Sequence, residues 1–251
     1  MTLRSLARGT IVPVVLLCAW EAGSRSGTIP TDMLSRPSSI FAAMIVGLRD
    51  GSILLATWQT FESALLGLAI AAIIGILAGA VLGLSPAVER VTGPTIEALR
   101  PIPAVAFIPL ALMMFGFGVG LEASIVAYAC VWPILIVTTA AVRSIEPRLL
   151  DVADAMELPF VERLGKIILP AAFARINVGL RIGVGIALVV AVTTEVVLNP
   201  RGLGYSLVLA QQSLNVALMY AQLLWLCVVG YLLNAALRTM GSDATAQWRP
   251  A

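Results

Sequence analysis

Apolar residues fall in long blocks along this chain, at residues 11–19, 61–84, 96–116, 123–142, 179–198 and 217–237. All but the first are close to the roughly 20 residues a helix needs to cross hydrocarbon. The pattern predicts an all-α membrane protein with about six transmembrane helices. It forms one transmembrane domain over residues 1–251, with a first span at 11–23 and the core spans at 61–238. The first block is short, lies after Arg4 and Arg8, and precedes Ala22-Gly23-Ser24. That arrangement fits a cleaved signal peptide as well as an uncleaved span. The membranous character of the rest favours the span. Residues 38–48 predict a short amphipathic helix on the outer surface.

Finer patterns lie within the blocks. Gly67, Ala71, Gly75, Gly79 and Gly83 recur at every fourth position of the second span. This puts tiny side chains on one helix face, where they let membrane helices approach closely. The third span contains "LRPIPAVAFIP", in which Pro101, Pro103 and Pro109 each remove a backbone donor. A straight helix is not expected. Broken helices at membrane depth survive where they are buried in protein or line a water-filled path. The three prolines are therefore candidates for a translocation path or gate. Glu195 joins them as the one carboxylate deep inside a predicted span, beside Thr193 and Thr194. Intramembrane acids default to a functional reading. A bare carboxylate would repel an anion, so a gate or interface role with a hydrogen-bond donor is expected.

Composition agrees with the hydropathy pattern. Hydrophobic residues make up 59% and charged residues 12%, against about 25% charged in soluble domains. There is no His, which excludes Ser-His-Asp triads and H-E-x-x-H zinc sites. Cys18, Cys130 and Cys227 are far apart in apolar runs, with no metal-ligand spacing. A net charge of +2 gives no reason to expect nucleic acid. "GFGVG", residues 116–120, reads as a tight outer turn and not as a dinucleotide fingerprint. No G-x-x-x-x-G-K-[ST] phosphate cradle is present, and the single lysine, Lys166, stands in "LGKII". With both termini inside, Arg25, Arg36, Arg49 and Arg201 fall outside and the other twelve basic residues fall inside. The positive-inside rule supports that orientation.

Residues 143–177 break the hydrophobic pattern with a charged, amphipathic stretch that the charge rule places in the cytoplasm. Val152, Ala155 and Met156 make one apolar stripe, and Phe160, Val161, Leu164, Ile167 and Ile168 make another. Two short helices are expected. Pro159 would open the second, where its missing N–H costs nothing, and Pro170 would end it. Glu162 and Lys166 form an i,i+4 pair in the favourable orientation.

"DVADAMELPFVERLGKIILP", residues 151–170, resembles the EAA loop of permease subunits from binding-protein-dependent ABC importers. Asp151 stands for the Glu of that pattern and Ala153 for its second Ala, with Ile167, Leu169 and Pro170 at the expected spacing. "SRPSSIFAAM", "LRPIPAVAFIPLALMMFGFG", "RSIEPRLLDVA", "LRIGVGIALVVAVTTEV" and "RGLGY" are similar to the branch importing nitrate, sulfonates and taurine. The resemblance implies a type I importer permease fold in the bacterial inner membrane, carrying a small anionic solute. It implies a second permease chain, most simply a homodimer. It further implies two cytoplasmic ATPases that hold ATP and Mg, and an extracytoplasmic binding protein. The chain itself would be no enzyme and bind no cofactor or metal. The coupling residues would be Asp151, Ala153, Glu157, Pro159, Phe160, Val161, Glu162, Arg163 and Pro170. Glu157 departs from the family, which has Gly there to allow a positive φ. Leu158-Pro159 is expected to supply the break instead. A gradient-driven secondary transporter would carry more buried ionisable groups. An intramembrane enzyme would need a nucleophile turn or paired acids, and the membrane component of another ABC system would lack this EAA spacing.

Overall fold

The computed structural model describes residues 3–28, 30, 33–146, 148–149, 151 and 155–246. α1 (Leu3–Arg25) covers the first apolar block, and α2 (Pro37–Arg49) is the short helix expected at 38–48. Glu21 of α1 accepts hydrogen bonds from the Ser38 amide at 3.1 Å and the Ser38 hydroxyl at 2.9 Å, which ties the two helices together. α3 (Ser52–Leu84) begins nine residues earlier than the apolar block. Gly51, at φ +82, turns the chain into it, and Asp50 accepts the Ser52 N–H at 2.8 Å. That bond holds the Asp50 carboxyl below its ordinary range.

The apolar block starts only at residue 61 because Thr57, Gln59 and Thr60 are polar, and Glu62 is the one charge near its start. All four point at other helices. Thr57 accepts from Trp225 Nε1 at 2.9 Å. The other three meet the residues that follow the fifth span.

α4 (Pro86–Leu99) starts with Ser85 as its cap and Pro86 in its first turn. A 3₁₀ turn (Ala104–Phe107) and α5 (Ile108–Phe115) follow. The two halves of this crossing are bent by 84° at the break. α6 (Val119–Arg143) returns the chain to the charged segment. Beyond that segment come α7 (Phe160–Arg163), a π-helical turn (Leu164–Ile168), α8 (Leu169–Val197), α9 (Gly202–Gln212) and α10 (Val216–Ala246).

Among the described residues, four helical stretches are long and apolar enough to cross a membrane, and the bent pair makes up to five. That is one fewer than the expected six. The difference is α1, which carries Arg4, Arg8, Glu21 and Arg25 around a short apolar centre.

The core is the contact of α3, α6 and α8. Ala64, Ala71, Val126, Cys130, Ile134, Ala187 and Ala191 form one buried cluster. The glycine strip of α3 faces α6. A Cβ on Gly67 would come within 2.6 Å of Val126 Cβ, on Gly79 within 2.7 Å of the Leu135 carbonyl oxygen, and on Gly83 within 2.6 Å of Val142 Cβ. Gly75 meets Ile134 in the same way, at 2.9 Å. The opposite face of α3 exposes Leu66, Ile70, Ile73, Ile74 and Leu77. In lipid such an arrangement draws its stability from close packing, because the tails are as apolar as the side chains.

Candidate functional site

The charged segment is built onto the bundle at both ends. Ile145 and Ile168 are buried against Ala80, Ala141, Val142, Ala172 and Ile176. Between them the chain is exposed at Asp151, Ala155, Met156, Glu157 and Pro159. Val152, Ala153 and Asp154 lie outside the described residues, and so do the side chains of Phe160 and Val161. Arg148 pairs with Glu146 at 3.7 Å. Lys166 donates to Glu162 at 2.6 Å, in the spacing read from the sequence.

Three expectations for this segment need correction. Glu157 itself adopts φ +48, so the turn is made at the family's glycine position and not by Leu158-Pro159. An L-residue there costs about 1–2 kcal/mol. Pro159 sits just ahead of α7 rather than inside it, and its carbonyl accepts the Arg163 N–H at 2.9 Å. Pro170 does not stop the helix. It stands at the start of α8, directly after a π-helical turn and within a helix that runs on from α7. The preceding turn widens so that the Leu169 N–H reaches back to the Leu164 carbonyl. This relieves the clash that a proline ring makes with the turn before it. The helix of the charged segment is thereby continuous with the fifth span, which begins ten residues before Gly179.

A second cluster lies at the other end of the bundle. The first-turn amides of α9 would be unpaired in an isolated helix. Here each is taken by a side chain from another helix. Gly202 N–H donates to Gln59 Oε1 at 3.0 Å, Leu203 N–H to Thr60 Oγ1 at 2.9 Å, and Gly204 N–H to Glu195 Oε2 at 2.8 Å. Gly202 stands at φ +84, and a Cβ there would run into the Glu195 carboxyl. A Cβ on Gly204 would meet the Val192 carbonyl oxygen at 2.5 Å. The "RGLGY" glycines are thus required by close approach. Glu195 is 1% exposed and caps a helix N-terminus, where the dipole favours a carboxylate. Its neighbours are Thr60, Gly202 and Gly204, and Pro101, Pro103 and Pro109 are not among them.

The sequence reading missed Glu122. It lies one residue before the block that starts at 123, yet it is wholly buried. Asn199 Nδ2 donates to Glu122 Oε1 and, at 3.2 Å, to the Gly118 carbonyl, while Gly118 N–H donates to Asn199 Oδ1 at 2.9 Å. Arg201 and Glu62 close the cluster with a 2.6 Å ion pair. The two glycine-bearing turns, at 116–120 and 199–204, were the available signal. Nothing in the sequence paired them.

The third feature is the broken crossing. Pro101 and Pro103 lie in the break, and Pro109 opens α5. α5 packs inward, with Ile108 and Ala111 buried against Leu121 and Ile125. α4 buries no residue. A cavity of about 340 Å³ separates it from α6.

A broken crossing, a closely packed α3–α6–α8 core and an exposed charged segment running into a span fit a polytopic membrane transport subunit. The chain belongs to the family of binding-protein-dependent transport system inner membrane components, whose model matches residues 71–241. It is 27% identical over 242 residues to the putative aliphatic sulfonates transport permease protein SsuC of Bacillus subtilis, covering 96% of this chain and 87% of that one. It is 33% identical over 181 residues to the bicarbonate transport system permease protein CmpB of Synechococcus elongatus, covering 70% and 65%. The fold is similar to a chain of the MetNI methionine ABC transporter in an inward-facing conformation. That match has a TM-score of 0.64 at 18% identity and covers 74% of this chain and 93% of the other.

Proposed function

We propose that this chain forms half of the solute path of an ATP-driven importer for a small oxyanion, of the size of a short sulfonate or bicarbonate. Two copies assemble. An extracytoplasmic binding protein delivers the solute, and two separate ATPases supply ATP hydrolysis. The observation that carries this reading is the exposed turn at Met156–Pro159, which leads without a helix stop into α8. A partner that grips the turn therefore pulls on a membrane span directly. The solute class is supported by the two relatives, whose names state aliphatic sulfonates and bicarbonate. Pro101, Pro103 and Pro109 shape the path. Glu195 holds the outer cluster together and does not meet the solute.

Native mass measurement of the complex purified through this chain tests the assembly. The expected species holds two permease chains and two ATPases. A species with one permease chain per two ATPases contradicts it.

A further inference from the structure

α4 is attached to the bundle differently from every other crossing described. Glu89 and Glu97 of α4, with Arg100 at its C-cap, face α6 across a cavity. No residue of α4 is buried. Between it and α6 lies the cavity of about 340 Å³, lined by Gly93, Ile96 and Arg100 on one side and Leu135, Thr139 and Ala140 on the other. Two side-chain ties span the gap, one toward each end of α4. Arg143 pairs with Glu89, and the Tyr128 hydroxyl donates to the Leu99 carbonyl at 2.7 Å.

The second tie follows from the proline pattern. In a continuous helix the Leu99 carbonyl would accept the N–H of residue 103, but that residue is proline and has none. Ile102 offers only a turn bond at 3.2 Å. Tyr128 supplies the missing donor from another helix. Its ring is aimed by neighbours on both sides, Phe107 at 4.6 Å and Trp132 edge-on at 5.5 Å between ring centres. Phe107 belongs to the packed half of the crossing, which runs into α5. One half of the crossing is packed into the bundle of its own chain, the other is held to α6 by these two ties, and the latch sits at the break.

We propose that α4 is the moving arm of the gate and that Tyr128 is the positioning residue that latches it. Arg143 is the last residue of α6 and leads straight into the charged cytoplasmic segment. Displacement of that segment acts first on the Arg143–Glu89 pair, and the arm then swings about residues 100–103 once the Tyr128 bond yields. The latch stands on geometry alone, while its role as a gate rests on the importer reading.

Spin labels at Gly93→Cys and Ala140→Cys, across the cavity, test the latch in the full-length chain in lipid nanodiscs. Cys18, Cys130 and Cys227 are replaced by Ala, and unlabelled chain is in large excess so that only distances within one chain are read. The parent should show one main distance. Tyr128→Phe keeps both ring contacts but loses the donor, and should shift the closed-to-open ratio toward a longer distance by about two- to tenfold. Thermal stability of the extracted chain should fall only slightly, as expected for one lost hydrogen bond, so the shift in the α4–α6 distance, and not general unfolding, reads the latch. Arg143→Gln should lengthen the distance as well, and the double variant more than either. In the reconstituted complex, Tyr128→Phe should raise ATP hydrolysis per solute moved. Identical distance distributions in parent and Tyr128→Phe overturn the latch. A shifted distribution with unchanged coupling overturns its role as a gate. A parent complex that moves no solute would count against the importer reading, leaving the distances to decide the latch.

Discussion

Replacing Gly79 with Ala adds one methyl group, and the structure sets the sign of its effect. The new Cβ would lie 2.7 Å from the Leu135 carbonyl oxygen and 2.7 Å from Thr138 Cβ. One of these atoms is backbone and cannot rotate away, so α3 and α6 must move apart by several tenths of an ångström along the strip. Overpacking of this kind costs about 1–3 kcal/mol. Against it stands the better helix propensity of Ala, about 1 kcal/mol. Gly185→Ala on α8 is the matched control, because nothing lies within 4 Å of its Cβ position. It keeps the propensity gain without the clash. The two variants should therefore differ by about 1–3 kcal/mol, with Gly79→Ala the less stable and Gly185→Ala at or above the parent. Tryptophan fluorescence during titration of detergent-solubilised chain with dodecyl sulfate reads this directly. If the two variants unfold at the same denaturant fraction, the strip is not the contact described here.

The remaining predictions concern the turn, the outer cluster and the topology. Glu157→Gly should raise stability by up to about 1–2 kcal/mol by removing the left-handed strain, while Glu157→Val should lower it, as read by thermal unfolding of the chain. Glu195→Gln keeps an acceptor for the Gly204 amide and should change stability and uptake little. Glu195→Leu buries that amide unpaired, at about 1–3 kcal/mol; an uptake defect in Gln equal to that in Leu would show that charge, not capping, is needed. Single cysteines at Ser52 and Ser144 in a cysteine-free background should label from opposite sides of the membrane, and labelling from the same side would refute the orientation.

Much of this architecture could be read from local sequence. The glycine strip is a four-residue repeat within one helix, and the break at residues 100–103 follows from prolines that lack donors. The exposed charged segment shows in its clash with the hydrophobic pattern. What escaped the reading depends on partners distant in sequence or on a backbone choice with two solutions. Gln59 and Thr60 look like loop residues until they meet α9, 143 residues away. Glu122 and Asn199 pair across 77 residues. Pro170 could end one helix or begin the next, and the wide turn before it decides for the latter. A positive φ costs Glu more than Gly, which pointed to Leu158-Pro159 for the break, yet Glu157 itself takes φ +48 in a segment anchored at Ile145 and Ile168.

The central claim is that a cytoplasmic ATPase grips the tip of the segment at residues 157–163 and drives the spans through it. Retention of the ATPase on purified permease carrying Phe160→Ala measures this most directly. Loss of an aromatic anchor at an interface costs about 2 kcal/mol or more, which is about thirtyfold in affinity. The account predicts that ATPase co-purification and uptake fall together while the chain stays inserted at its normal level. Wild-type ATPase retention and wild-type uptake in Phe160→Ala would contradict it.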